Sequence, residues 1–301
     1  MIKIINTLPQ INELFDNGEF NYSQWREYIN SIYRGCADIF IDDVREYIAT
    51  GKYTWNNDFL PIINAVYQNP KLEKIQNSFE RVVDGLNERI TQKFGREVDA
   101  DIVLYLGLCN GAGWVTDIDG RMVVLLGIEK IIELDWTSVD DMCGLIYHEL
   151  GHIYQAQYGI LNHRCKDDSK IFVWQLFTEG VAMYFEQALV GNINYYHQDK
   201  NCWKIWCDEY FEQILCDFKA DLPTMNAHNQ RYFGDWANYH GKGDVGYYLG
   251  ARFVHYLLER YKFDDLINFD IYEICKLFNT FYLRASSSSE AKDLAEEVTR
   301  G

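Results

Sequence analysis

The chain has 301 residues, 48% of them hydrophobic and 16% aromatic, and carries a formal charge of −17. That length and apolar content support a folded protein with a large core, as one two-lobed domain or two small ones. The acidic excess argues against a nucleic-acid surface and against an anionic membrane face, which both need basic clusters.

Met1 to Gln10 is too short and too polar for a signal peptide, and no apolar run is long enough to span a bilayer. Residues 1–95 read as largely helical. Asn21 to Arg34 and Asp38 to Ala49 carry aromatic and aliphatic residues at mixed helical spacing. Lys71 to Phe94 is a clearer amphipathic helix that ends at Gly95. The texture then changes. Ile102 to Leu106 suits a buried strand, and Trp114 to Ile118 and Met122 to Leu126 flank the tight-turn dipeptide Asp119-Gly120. Three strands, two of them in a hairpin, thus precede the next helix. Asp117-x-Asp119-Gly120 has the start of a calcium loop but lacks its later ligands, and a hairpin turn accounts for it.

Thr137 or Ser138 can cap a helix whose first turn holds Asp140 and Asp141. Met142, Leu145, Ile146, Leu150, Ile153 and Tyr154 continue it at close to helical period, and Gly159 is a plausible stop. After a polar connection, Asn162 to Ser169, long helices are expected over Ile171 to Val190, Trp203 to Ala220 and Gly246 to Tyr261. Asp270 to Leu283 and, beyond the serine run Ser286 to Ser289, Glu290 to Val298 close the chain. The eight cysteines form no C-x-x-C pair. They read mainly as buried small apolar side chains, reduced in a cytoplasm, and weigh against a cysteine zinc site.

The helix around residue 150 contains His148-Glu149-Leu150-Gly151-His152, an H-E-x-x-H pattern that occurs once. Residues four apart share a helix face, so both imidazoles can reach one metal ion. Glu149 lies beside them, where a carboxylate can take a proton from water that a zinc ion activates. A catalytic zinc needs a third protein ligand. The metzincin extension is excluded, because Gln155 stands at its glycine position and Tyr158 at its histidine position. His163 is close but falls in the polar connection. Glu179 interrupts an otherwise apolar helix stretch with Phe172, Val173, Leu176, Val181 and Ala182, where a carboxylate is costly unless it meets a cation. A metal would satisfy it, and so would an internal salt bridge or partial exposure. Glu186, two turns on, either supports the site or is solvated.

The run Thr178-Glu179-Gly180-Val181-Ala182-Met183-Tyr184-Phe185-Glu186 resembles the N-E-G-x-A-x-Y-x-E helix of the aminopeptidase N family, with threonine in place of asparagine. Together with H-E-x-x-H it resembles the gluzincin metallopeptidases, the group that includes thermolysin. The resemblance implies that His148, His152 and Glu179 bind Zn2+ and that Glu149 is the general base. It also implies an oxyanion-stabilising tyrosine three residues before a glycine. Tyr247 in Tyr247-Tyr248-Leu249-Gly250 matches, and Tyr248 is its neighbour. The G-x-M-E-N motif that recognises a substrate amine is missing; the nearest segment, Asn110 to Trp114, has no glutamate.

The expectation is therefore an α+β, mostly helical protein. A zincin-like core at 96–190, with a small mixed or antiparallel sheet on the H-E-x-x-H helix, follows a helical region at 1–95 and precedes a helical lobe at 191–301. The expected activity is zinc-dependent endopeptidase or oligopeptidase cleavage of a peptide or protein, possible along the edge of strand Met122 to Leu126. The alternatives are an inactive peptidase-like binding or regulatory protein, and metal-assisted hydrolysis of a substrate other than a peptide.

Overall fold

The structure, a computed structural model, describes residues 1–234 and 237–300, and side chains outside 286–300. It is mostly helical, 58%, with a small mixed sheet, which agrees with the α+β class. It comprises two compact units, Met1–Ile153 and Tyr154–Gly301.

The first unit opens with β1 (Lys3–Asn6), a 3-10 turn (Leu8–Leu14) and a short hairpin of β2 (Phe15–Asp16) and β3 (Glu19–Phe20). α1 (Tyr22–Ile32) starts at Asn21, whose side chain accepts from the N–H groups of Ser23 and Gln24. α2 (Ala37–Ala49), a π-helical turn (Trp55–Phe59) and α3 (Leu60–Asn64) follow. The helix expected over Lys71 to Phe94 is two, α4 (Lys71–Val83) and α5 (Leu86–Phe94). The break is at Gly85, whose φ of +62° is left-handed and cannot continue a helix.

Next come β4 (Asp101–Tyr105), β5 (Trp114–Ile118) and β6 (Arg121–Gly127), in a sheet of order β1-β4-β6-β5. Every residue of β4 is buried, as a near-continuous apolar run between two parallel neighbours should be. β5 and β6 form the antiparallel hairpin. Asp119 and Gly120 make its turn at φ of +55° and +80°, and Asp117 Oδ1 accepts from the Gly120 N–H at 2.8 Å. Asp117 therefore serves the turn. Met122 to Leu126 is not an edge: β6 is hydrogen-bonded to β4 on one side and β5 on the other. The edges are β1 and β5. Residues 1–95 supply an edge strand as well as helices, since β1 pairs with β4. Trp25 Nε1 on α1 donates to the Leu106 carbonyl at 2.9 Å, and the Leu106 N–H donates to Tyr28 Oη at 3.1 Å. These bonds pin the chain just beyond β4. α6 (Ile128–Glu133) then leads to α7 (Val139–Tyr158), within which the first unit ends.

The second unit continues through α8 (Asp168–Val190), α9 (Trp203–Glu209), α10 (Phe211–Asp221), α11 (Val245–Leu258), α12 (Phe263–Leu266) and α13 (Ile271–Arg300). The Trp203 to Ala220 pattern is thus two helices that meet at Tyr210. The serine run Ser286 to Ser289 falls where side chains lie outside the described residues. α8 and α11 approach backbone to backbone: a Cβ on Gly180 would lie 2.2 Å from the Gly250 carbonyl oxygen. Phe253 of α11 packs on Phe278 and Phe281 of α13, with ring centroids 5.6 and 5.3 Å away.

All eight cysteines are free thiols, but only Cys36 and Cys207 are buried. Cys216 faces solvent because its neighbours Ile214, Leu215 and Phe218 take the inward face of α10. Among the described residues, no helix is long and apolar enough to cross a membrane.

Candidate metal centre

Ser138 starts α7. Its Oγ accepts from the Asp141 N–H at 3.1 Å, while Asp141 Oδ2 accepts from the Ser138 N–H at 3.2 Å and hydroxyl at 2.6 Å. This is a capping box closed by aspartate. Thr137, the other candidate, is buried, and its carbonyl accepts from Ser78. Met142, Leu145, Ile146, Leu150 and Ile153 are all buried, which fixes the rotation of the helix. That rotation sets the rings of His148 and His152 one turn apart, with centroids 5.0 Å apart and planes at 86°. His148 is 4% exposed, Glu149 8%, and His152 is half-buried.

A loop between β4 and β5 runs beside Glu149. A Cβ on Gly113 would lie 3.2 Å from both Cγ and Oε1 of Glu149, so the backbone there touches the carboxylate-bearing chain. Two side chains hold the loop. Glu129, with no exposure, accepts from the Gly107 and Cys109 N–H groups, each at 2.9 Å. Burial pushes its carboxyl pKa up, opposed by those N–H bonds. Asn110 Oδ1 accepts from the Leu108 N–H at 3.1 Å, and Asn110 Nδ2 donates to the Phe40 carbonyl at 3.0 Å and Asp43 Oδ2 at 2.7 Å.

On α8, Glu179 is half-buried between the buried residues Thr178 and Gly180. One ligand atom from each of His148, His152 and Glu179 lies within 4.8 Å of the other two, so this group could hold a metal ion. Two imidazoles and a carboxylate are a donor set suited to zinc, whose bonds of about 2.0–2.2 Å bring tetrahedral ligands to within roughly 3.5 Å of each other. Among the described residues His163 belongs to no such group; its ring packs on Trp174 and Tyr272, with centroids 5.7 and 6.3 Å away.

Glu186 is fully buried, which removes the solvated alternative. One of its oxygens meets His197 Nδ1 at 2.9 Å and the other accepts from the His197 N–H at 3.3 Å. His148, Glu186 and His197 form a second group that could hold a metal ion. Reading the sequence missed His197. Its signal was indirect: a carboxylate on a buried helix face needs a partner, and the chain has only seven histidines.

On α11 the two tyrosines separate clearly. Tyr248 is fully buried, donates to Asp208 Oδ1 at 2.8 Å and accepts from Arg252 Nη1 at 2.7 Å. Burial pushes its phenol pKa well up. Its hydroxyl is committed within its own unit. Tyr247 is half-buried, with its ring 6.0 Å from Phe233. His255 Nε2 donates to Gln187 Oε1 at 2.7 Å, and burial, then Arg252, pull its pKa down to about 4. It is a neutral structural histidine near pH 7.

Comparison with protein-family models, with curated proteins and with solved structures finds no match to this chain.

Proposed function

We propose that the protein is a zinc-dependent peptidase of the gluzincin kind, an endopeptidase or oligopeptidase with His148, His152 and Glu179 as metal ligands. The observation that carries this reading is that the three sequence-predicted ligands have donor atoms within 4.8 Å of one another, with Glu149 adjacent to the first. A bound zinc supplies Lewis acidity, which makes water a nucleophile near neutral pH and polarises a carbonyl. Glu149 takes the proton of the attacking water and passes it to the leaving nitrogen. The Gly113 backbone packed against it limits the positions its carboxylate can take. Tyr247 donates its phenolic hydrogen to the oxyanion as charge develops there. The substrate is an extended peptide, paired along β5, the edge strand that begins directly after Gly113. Eight free thiols support a reducing, cytoplasmic setting.

One observation favours a second reading, a peptidase-like binding protein with a structural metal. His148, Glu186 and His197 are all buried, as ligands of a closed site would be. The Glu149→Gln variant tests the first reading. It should keep its zinc and fold while cleavage of a peptide library falls by at least about a thousandfold. Cleavage at the wild-type rate would remove Glu149 from the mechanism, and a wild-type protein with zinc but no chelator-sensitive cleavage would favour the second reading.

A further inference from the structure

We propose that a cleft in the first unit, distinct from the metal ligands, binds a small amphipathic carboxylate: an apolar body carrying one acid group. The cleft has a volume of about 350 Å³, within the range of pockets that hold small organic ligands. Phe20, Tyr22, Ile48, Trp55 and, at its buried base, Leu108 line it, and among the described residues Arg45 is the one charged side chain that does so. Leu108 is buried, whereas Phe20, Ile48 and Trp55 are half-buried and Tyr22 is 40% exposed. The cleft therefore leaves aromatic and aliphatic surface in water above a buried apolar floor, and a ligand's apolar body would cover it.

The walls are set before any ligand arrives. Trp55 belongs to the π-helical turn Trp55–Phe59, a rare geometry that recurs at functional sites. Asp58 Oδ2 accepts from the Thr54 N–H at 2.7 Å and from its hydroxyl at 3.2 Å, which locks the start of that turn. The Trp55 ring stacks on Phe59 at 6.2 Å and 15°, and lies 6.3 Å from Phe20. A ligand that enters orders few side chains, so little of its contact energy is lost to entropy.

Arg45 selects the charge of the occupant. Its guanidinium reaches Asp42 at 2.8 Å, but the two side chains are 69% and 64% exposed. Such an exposed pair is weak, and a planar guanidinium can accept a carboxylate on another pair of N–H groups. A neutral ligand would forgo that contact, and a phosphate would bring a second charge towards Asp42.

Calorimetric titration of the full chain with decanoate, and with decanol as its uncharged counterpart, tests the proposal. Decanoate should bind saturably and more tightly than decanol. Arg45→Gln, an exposed change, should weaken decanoate about three- to tenfold and leave decanol unchanged. Ile48→Trp should fill the cleft and abolish binding of both; should that variant fail to fold, Leu60→Trp on another wall serves the same purpose. Absence of saturable decanoate binding, equal affinity for decanol, or decanoate affinity unchanged by Arg45→Gln or by the folded filling variant would each overturn the proposal.

Discussion

The Gly180→Ala substitution probes how the residue after the proposed ligand Glu179 is held. The new Cβ would lie 2.2 Å from the carbonyl oxygen and 2.5 Å from the carbonyl carbon of Gly250, and 2.8 Å from Val254 Cγ2. Ordinary contact begins at 3.4 Å, so the carbonyl oxygen must retreat by about 1.2 Å. A side chain could rotate away, but the backbone of α11 can yield only if the two helices part. Alanine gains about 1 kcal/mol in helix propensity over glycine. Overpacking of a core costs about 1–3 kcal/mol and more where backbone must move. The net loss should be about 2 kcal/mol, a fall in the unfolding midpoint of roughly 4–8 °C for a unit of this size. Gly250→Ala meets the Leu176 carbonyl oxygen at 2.5 Å and should cost a similar amount. The double variant should cost clearly less than the sum, since helices already parted admit the second methyl cheaply. Thermal and urea unfolding measure all three. A midpoint equal to or above that of the wild type for Gly180→Ala would refute the close-approach argument, because propensity alone would then decide.

Other substitutions separate chemistry from support. Tyr247→Phe should lower kcat by about 10²–10³ at unchanged stability, as loss of an oxyanion donor does. Tyr248→Phe should instead cost about 1–2 kcal/mol of stability and leave kcat within a few fold, because its hydroxyl serves Asp208 and Arg252; steady-state kinetics beside urea titration checks both. Glu129→Gln turns an N–H towards a loop N–H and should destabilise the protein by about 1–3 kcal/mol, with loss of activity at full metal content. His255 has a folded pKa of about 4 against an ordinary 6.5. The unfolded chain takes up that proton first, so its stability contribution is intact above pH 6.5 and is lost as pH falls towards 4, by up to about 3 kcal/mol. His255→Gln should flatten that part of the curve of urea midpoint against pH.

Local signals were legible in the sequence. Asp119-Gly120 announced its hairpin, Thr137-Ser138 the start of α7, though not which of the two caps it, and apolar spacing the rotation of α7 that pairs His148 with His152. Glu179 was visible as a carboxylate out of place in an apolar run, and its grouping with both histidines followed. What pairing over long range decides was not legible. β1 is four residues long and finds β4 nearly a hundred residues away, and β6, an expected edge, is interior because β4 pairs along the side that β5 leaves open. The break at Gly85 had its signal in Asp84-Gly85, but the apolar spacing continues across it. Glu129 and Asn110 hold the backbone of residues 107–113, which reaches Glu149 at Gly113, and no residue spacing encodes that. His197 lies in an irregular segment after α8 and became visible only once the burial of Glu186 was known.

Zinc content and affinity in Glu179→Gln and Glu186→Gln, measured side by side on purified protein, decide which carboxylate holds the metal. Both changes keep side-chain size, and His148 is common to the two possible groups. With the metal on His148, His152 and Glu179, the wild type should hold about one zinc per chain, Glu179→Gln should lose affinity by at least about a hundredfold, and Glu186→Gln should keep near-stoichiometric zinc. The opposite pattern, with zinc kept by Glu179→Gln and lost by Glu186→Gln, would contradict that assignment and place the metal with His197.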